Sequence, residues 1–131
     1  MAFKTADFDS SILPYKILHD DDVSTAGGST ATIRTDMTNG ESGTLFSIDI
    51  NNTSSGDCFF KMTFTTEAPV VGTTEADLVL NIPASTSVMY TMPEGISFTN
   101  LCMWCVTSGA KTGTSPVSNS QTKVLVTLIT S

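Results

Sequence analysis

Residues Asp77 to Val106 read DLVLNIPASTSVMYTMPEGISFTNLCMWCV. Leu78, Leu80 and Ile82 set apolar side chains on one face of an extended segment, with Val79 and Asn81 on the other. Pro83 stops this run. After the turn Pro83-Ala84-Ser85-Thr86 the same period resumes with Val88, Tyr90 and Met92, and two alternating runs flanking a short turn predict a hairpin. Met92-Pro93-Glu94-Gly95 predicts a second interruption. Leu101 to Val106, with Met103 at its centre, is apolar almost throughout, as expected of a strand covered on both sides. The core is expected to close on it.

Outward from this stretch, the same two-residue period recurs. Val124, Val126 and Leu128 form one face of a C-terminal strand over Val124 to Thr130. Cys58 to Thr65 places Phe60, Met62 and Phe64 on one face and Lys61 and Thr63 on the other. Leu45 to Ile50 is read with Phe46, Ile48 and Ile50 inward and Ser47 and Asp49 outward. Asn39-Gly40 before it supplies the positive φ of a tight turn. Thr30 to Met37 and Tyr15 to His19 are weaker strand candidates. Trp104 and Leu125 lie opposite to their inward neighbours, and a second buried surface such as a subunit interface is expected to receive them. Glu67 to Glu75 is a connection. Thr107 to Thr122, rich in Ser, Thr and Gly, is a long loop of the kind used for binding.

These runs predict an all-β protein: a two-sheet antiparallel β-sandwich, Ig-like or jelly-roll-like, of seven or eight strands. At 131 residues one domain suffices. Residues 1–14 read as an extended N-terminal arm and 15–131 as the sandwich. The arm holds Phe3 and Phe8 without periodicity, either as a loose terminus or as anchors that order on a neighbouring chain.

The net charge is −7, and the six basic residues, Lys4, Lys16, Arg34, Lys61, Lys111 and Lys123, are scattered. Phosphate neutralisation needs clustered bases, so direct nucleic-acid binding is not expected. No apolar run approaches the about 20 residues that span a bilayer, and MAFKTADFDSS lacks an apolar signal core, so no membrane segment is expected and synthesis in a cytoplasm is. Three cysteines, an odd number, fit a reducing compartment.

Candidate chemistry is sparse. His19 is the single histidine and hence the single candidate base for a Ser or Cys nucleophile, but no Ser or Cys sits in a GxSxG-type elbow. Cys102 and Cys105 have CxxC spacing. On a strand, positions i and i+3 face opposite ways, so the two sulfurs do not converge on one ion, and no second ligand pair accompanies them. Buried inert thiols are the better reading. Asp20-Asp21-Asp22 lacks the remaining acidic positions of an EF-hand and reads as a solvated loop. No catalytic residue, metal site or cofactor is assigned, and no enzyme activity is expected.

The order of features in PVVGTTEADLVLNIPASTSVMYTMPEGISFTNLCMWCVTSGAKTGTSP, from Pro69, resembles a small β-sandwich module of virion proteins from tailed bacteriophages of marine and cyanobacterial hosts. The corresponding signatures are Pro69 to Thr73, Leu78 to Ile82, Pro83-Ala84, Val88 to Met92, Pro93-Glu94-Gly95 and Leu101 to Val106. The resemblance spans roughly Leu45 to Ser131 and, more weakly, Tyr15 to Thr35. Cys102, Trp104 and Cys105 depart from it, standing where small or aliphatic residues are ordinary. It implies a capsid decoration, or cement, protein on the outer surface of the virion, made in the bacterial host and bound to the phage major capsid protein. It also implies a homo-oligomer, with a trimer favoured. Phe3, Phe8 and Tyr15 would then be the capsid-binding residues. The alternative is a tail, knob or vertex module that contacts a host receptor through its loops.

Overall fold

The computed structural model describes residues 3–7 (backbone only), 15–20, 23, 35, 37–38, 40–65, 69–70, 73–107 and 124–131. Among them are eight strands: β1 (Phe3–Asp7), β2 (Lys16–Asp20), β3 (Gly43–Asn52), β4 (Cys58–Thr63), β5 (Leu78–Ile82), β6 (Thr86–Phe98), β7 (Cys102–Val106) and β8 (Val124–Thr130). All pairings are antiparallel. A five-stranded sheet runs β1-β2-β8-β3-β6 and a three-stranded sheet runs β5-β4-β7. The chain changes sheet at β3 to β4, β5 to β6, β6 to β7 and β7 to β8. This interleaving, with β2 beside β8 and β3 beside β6, is that of a jelly roll rather than an immunoglobulin sandwich.

The core lies between the sheets. From the large sheet come Leu18, Leu45, Ile48, Ile50, Val124, Val126 and Leu128; from the small sheet come Cys58, Phe60, Met62, Ile82, Met103 and Cys105, with Leu101 beside them. Phe64, Leu78, Leu80, Val88 and Tyr90 are partly buried against this cluster. Every residue of β7 is buried, in keeping with its unbroken apolar run.

Four expectations are corrected. The predicted hairpin between Leu78 and Met92 does not form, because β5 pairs with β4 and β6 pairs with β3. Alternation fixes which face is apolar but not which strand lies alongside. The Pro83-Ala84-Ser85 turn, with Ser85 at φ 53°, therefore carries the chain from one sheet to the other.

The interruption expected at Pro93-Glu94-Gly95 is instead a bulge within β6, which continues to Phe98. The register shifts opposite Leu45 and Ser47, and Gly95 takes a φ of 77°. An added Cβ at Gly95 would collide with Thr44 Cγ2 and come within 3.0 Å of Phe46 Cε1.

The same bulge moves Phe46. Expected inward, it is half-buried on the outer side of the large sheet, while Leu45 and Ile48 take the inward places. An extra residue shifts the facing parity of everything beyond it.

Trp104 lies on a second buried surface, as expected, and its own chain supplies that surface. It is 1% exposed within its own chain, in a second cluster with Val106, Phe59 and Ala76 on the outer side of the small sheet. Leu125 is half-buried on the outer side of the large sheet.

In the first 14 residues, where no strand was expected, the backbone of Phe3–Asp7 pairs with β2, with Phe3 opposite Asp20. Phe8, most of the strand expected over 30–37 and the loop 108–122 lie outside the described residues.

Candidate functional site

The β3 bulge builds the most distinctive surface feature. By turning Phe46 outward it forms, with Tyr15, Met92, Pro93 and Ile129, an open apolar hollow of about 380 Å³. The Tyr15 and Phe46 rings meet edge to face, with centroids 5.6 Å apart and planes at 87°, the geometry favoured by the ring quadrupoles. Tyr15 remains 46% exposed. Next to Tyr15 in the chain, Lys16 pairs with Glu41, its Nζ 3.2 Å from Oε2. Both side chains are largely exposed, so the pair contributes little to stability. The hollow's lining carries one phenol and no carboxylate, imidazole or amine. Such a surface can receive an apolar side chain or chain segment.

The hollow opens onto the outer face of the large sheet. Across that face one row runs His19, Thr127, Asp49, Met89, and the next runs Ile17, Ile129, Ser47, Thr91. His19 Nδ1 is 3.0 Å from Thr127 Oγ1. Asp20, its sequence neighbour, is buried on the opposite face.

The three thiols are buried and free, and the fold keeps them away from His19. Cys105 points into the core on the same face as Cys58, whereas Cys102 lies on the other face of β7, against Asn100 Nδ2 at 3.5 Å. The CxxC spacing thus does not bring its sulfurs together. Instead the fold pairs Cys58 with Cys105, a contact across 47 positions that no local spacing signals. A hydrogen bond from Cys105 lowers the Cys58 thiol below its ordinary value, outweighing the opposing effect of burial. Burial raises Cys102, and the neighbouring Thr63 hydroxyl offsets part of that rise. Burial also lowers the Lys61 ammonium. Among the described residues no group of three His, Cys, Asp or Glu side chains could hold a metal ion.

Asn52 is the other residue that sequence reading missed. It is fully buried, and its Nδ2 donates to the carbonyls of Gly56 at 3.0 Å, Ile82 at 3.1 Å and Pro83 at 3.2 Å. Its Oδ1 accepts from Ser54 N at 3.0 Å and Ser54 Oγ at 2.6 Å. Ser85 N then donates to Ser54 O at 3.0 Å, and Ala84 N to Asp57 Oδ1 at 3.0 Å. These contacts join the β3–β4 and β5–β6 crossings. They shape the sandwich and present no group to a ligand.

No protein-family model and no curated protein matches the chain. Among solved structures it is similar to the coat protein of tobacco streak virus. One structure of that protein has a TM-score of 0.44 at 9% identity, covering 89% of this chain and 85% of the other. A structure of the coat protein dimer has a TM-score of 0.38 at 11% identity, covering 89% and 84%. Likeness of this degree assigns no function.

Proposed function

We infer that the protein is a structural component of a virion that decorates and stabilises the outside of a phage head by binding the major capsid protein lattice. The observation that carries this reading is the ordered set of signatures from Pro69 to Val106. Its punctuating residues fall at the corners of the sandwich: Pro83-Ala84 at a sheet crossing, and Pro93-Glu94-Gly95 at the bulge beneath Phe46. Residues used in this way preserve a scaffold and its surface rather than a reaction. The bulge also creates the apolar hollow at Tyr15, directly after the 1–14 segment. That segment, whose residues Phe3–Asp7 form the edge strand β1, would dock on the coat lattice next to the hollow through Phe3 and Phe8. The acidic balance, −7 overall, suits a protein outside a DNA-filled shell.

Copy number in purified virions tests this reading. A simple lattice fraction relative to the major coat protein is the expected result, and removal of residues 1–14 should abolish head binding while the sandwich still folds. A few copies per particle would instead indicate a tail or vertex component. Head binding that survives the truncation would remove the 1–14 segment from the docking role.

A further inference from the structure

We propose that two copies of this chain pair face to face through the outer surface of the five-stranded sheet, about a twofold axis nearly parallel to β8, with His19 of each copy over Asp49 of the other. An antiparallel sheet with one solvated face ordinarily carries polar residues there. Here Ile17, Leu125 and Ile129 project from that face, half-buried, and Met89 on the same face is 63% exposed. These positions lie on three of the five strands, β2, β8 and β6, so the apolar surface extends beyond one side chain.

Of the two edge strands, β1 and β6, the β6 edge is poorly suited to pairing. Among the described residues β6 has one neighbour, β3. Its outer edge carries Pro93, which lacks an N–H, beside Glu94 and the Gly95 bulge, all features that discourage strand addition. Compared with the β6 edge, the face is the more open surface.

Register selects the axis. β8 is the central strand, flanked by β2 on one side and β3 on the other. A twofold along β8 exchanges the two sides and keeps each row in place. Thr127 then faces Thr127, Leu125 faces Leu125 and Ile129 faces Ile129, while His19, on β2, faces Asp49, on β3. A twofold along the row would set Asp49 against Asp49 and His19 against His19, which like charge disfavours. When the Thr127 hydroxyl donates to His19 Nδ1, Nε2 carries the proton and can donate to a carboxylate. The twist of each sheet rotates the stacked pair by about 30°, so the axis runs about 15° from each β8, and the contacts next to the axis stay intact.

Five strands about 4.8 Å apart, with five to seven paired residues each at about 3.4 Å, give a face of roughly 24 by 20 Å. Two such faces bury on the order of 1,000 Å², the lower limit of a specific interface, so the dimer should be concentration-dependent. This pairing does not rest on the virion reading, and because it covers Ile129, which lines the hollow, it competes with docking there. It differs from the trimer that the phage resemblance implies.

Sedimentation equilibrium from about 10 μM to about 1 mM, a range that brackets a weak interface, should show the mass rising from one chain toward two. His19→Asp and Asp49→His should each weaken association about tenfold, and the double exchange should restore it to within about threefold. The unmodified chain supplies a second readout. Because His19 is the single histidine, its modification by diethyl pyrocarbonate, followed on the His19 peptide, should slow several-fold as the dimer fills. A monomer throughout, a trimer, a double exchange no tighter than the single variants, or a dimer in which His19 reacts as fast as in the monomer would each overturn the proposal. If the variants do not fold, the mass and His19 labelling of the unmodified chain decide it.

Discussion

Asn52 Nδ2 lies 3.1 Å from the carbonyl oxygen of Ile82, and through this bond the end of β3 in one sheet is fixed to the end of β5 in the other. A single buried amide thus locks two of the four sheet crossings. Asn52→Ala should lower the unfolding free energy by about 2 to 4 kcal/mol, because several buried backbone groups lose their partner at once. Asn52→Asp should cost at least as much near neutral pH, since a carboxylate cannot donate to three carbonyls. Denaturant unfolding of both variants checks this. A loss below about 1 kcal/mol for both would mean that the crossings hold without the amide.

Gly95→Ala should destabilise by about 2 to 4 kcal/mol, combining a left-handed backbone with a collision against Thr44 and Phe46. Gly40 also has positive φ, but open space surrounds its Cβ position, so Gly40→Ala should cost only about 1 kcal/mol. The difference between the two variants, read from denaturant midpoints, isolates the packing at the bulge.

The face assignments of the core strands were legible in the sequence because a two-residue period needs only local information. Ile48, Ile50, Phe60, Met62, Val124, Val126 and Leu128 could be read directly from alternation, and all are buried. Strand partnership was not legible. Leu78–Ile82 and Val88–Met92 look like the two arms of a hairpin, and nothing within either run reports that their partners, β4 and β3, lie earlier in the chain. The bulge was equally hidden, since LFSIDI alternates cleanly and the extra residue exists only relative to β8, where Leu45 and Ser47 face the adjacent residues Thr130 and Ile129. For that reason the hollow at Phe46 and the Cys58–Cys105 contact emerged only in three dimensions.

Lys61 is fully buried, and burial lowers its ammonium below the ordinary lysine value. The unfolded chain therefore holds this proton more tightly than the folded one. By linkage, stability rises with pH between the depressed folded value and the ordinary value near 10.5. Lys61→Met should flatten this part of the stability profile. Equal slopes for the two proteins, measured by denaturant unfolding across the alkaline range, would show that Lys61 keeps the same proton affinity in both states.

The thiols offer a kinetic counterpart. All three are buried, so labelling of native protein by an aromatic disulfide reagent should proceed at the rate of opening rather than within seconds. Cys105→Ala removes the hydrogen bond that lowers Cys58, so the folded Cys58 value should rise. The folded value lies below the unfolded one in the parent, which gives stability that grows as pH climbs through that interval and is absent below it. The variant should lose that gain, as seen in unfolding free energies measured on either side of it.

Phe46 and Ile48 stand two positions apart on one strand and test the bulge itself. Were the strand regular, both would be core residues, and Phe46→Ala would be the costlier change, about 3 to 5 kcal/mol. In the bulged register Ile48 is fully buried, and Phe46 packs half-buried against Tyr15 over Gly95. Ile48→Ala should then cost about 2 to 5 kcal/mol, against about 1 to 2 for Phe46→Ala. Tyr15→Ala combined with Phe46→Ala should cost less than the sum of the single changes, because each removes the same ring pair. Equal losses at positions 46 and 48 would return Phe46 to the core and remove the bulge. The inverted order, measured by denaturant unfolding of the single and double variants, would establish that one extra residue turns a core phenylalanine into the wall of a surface hollow.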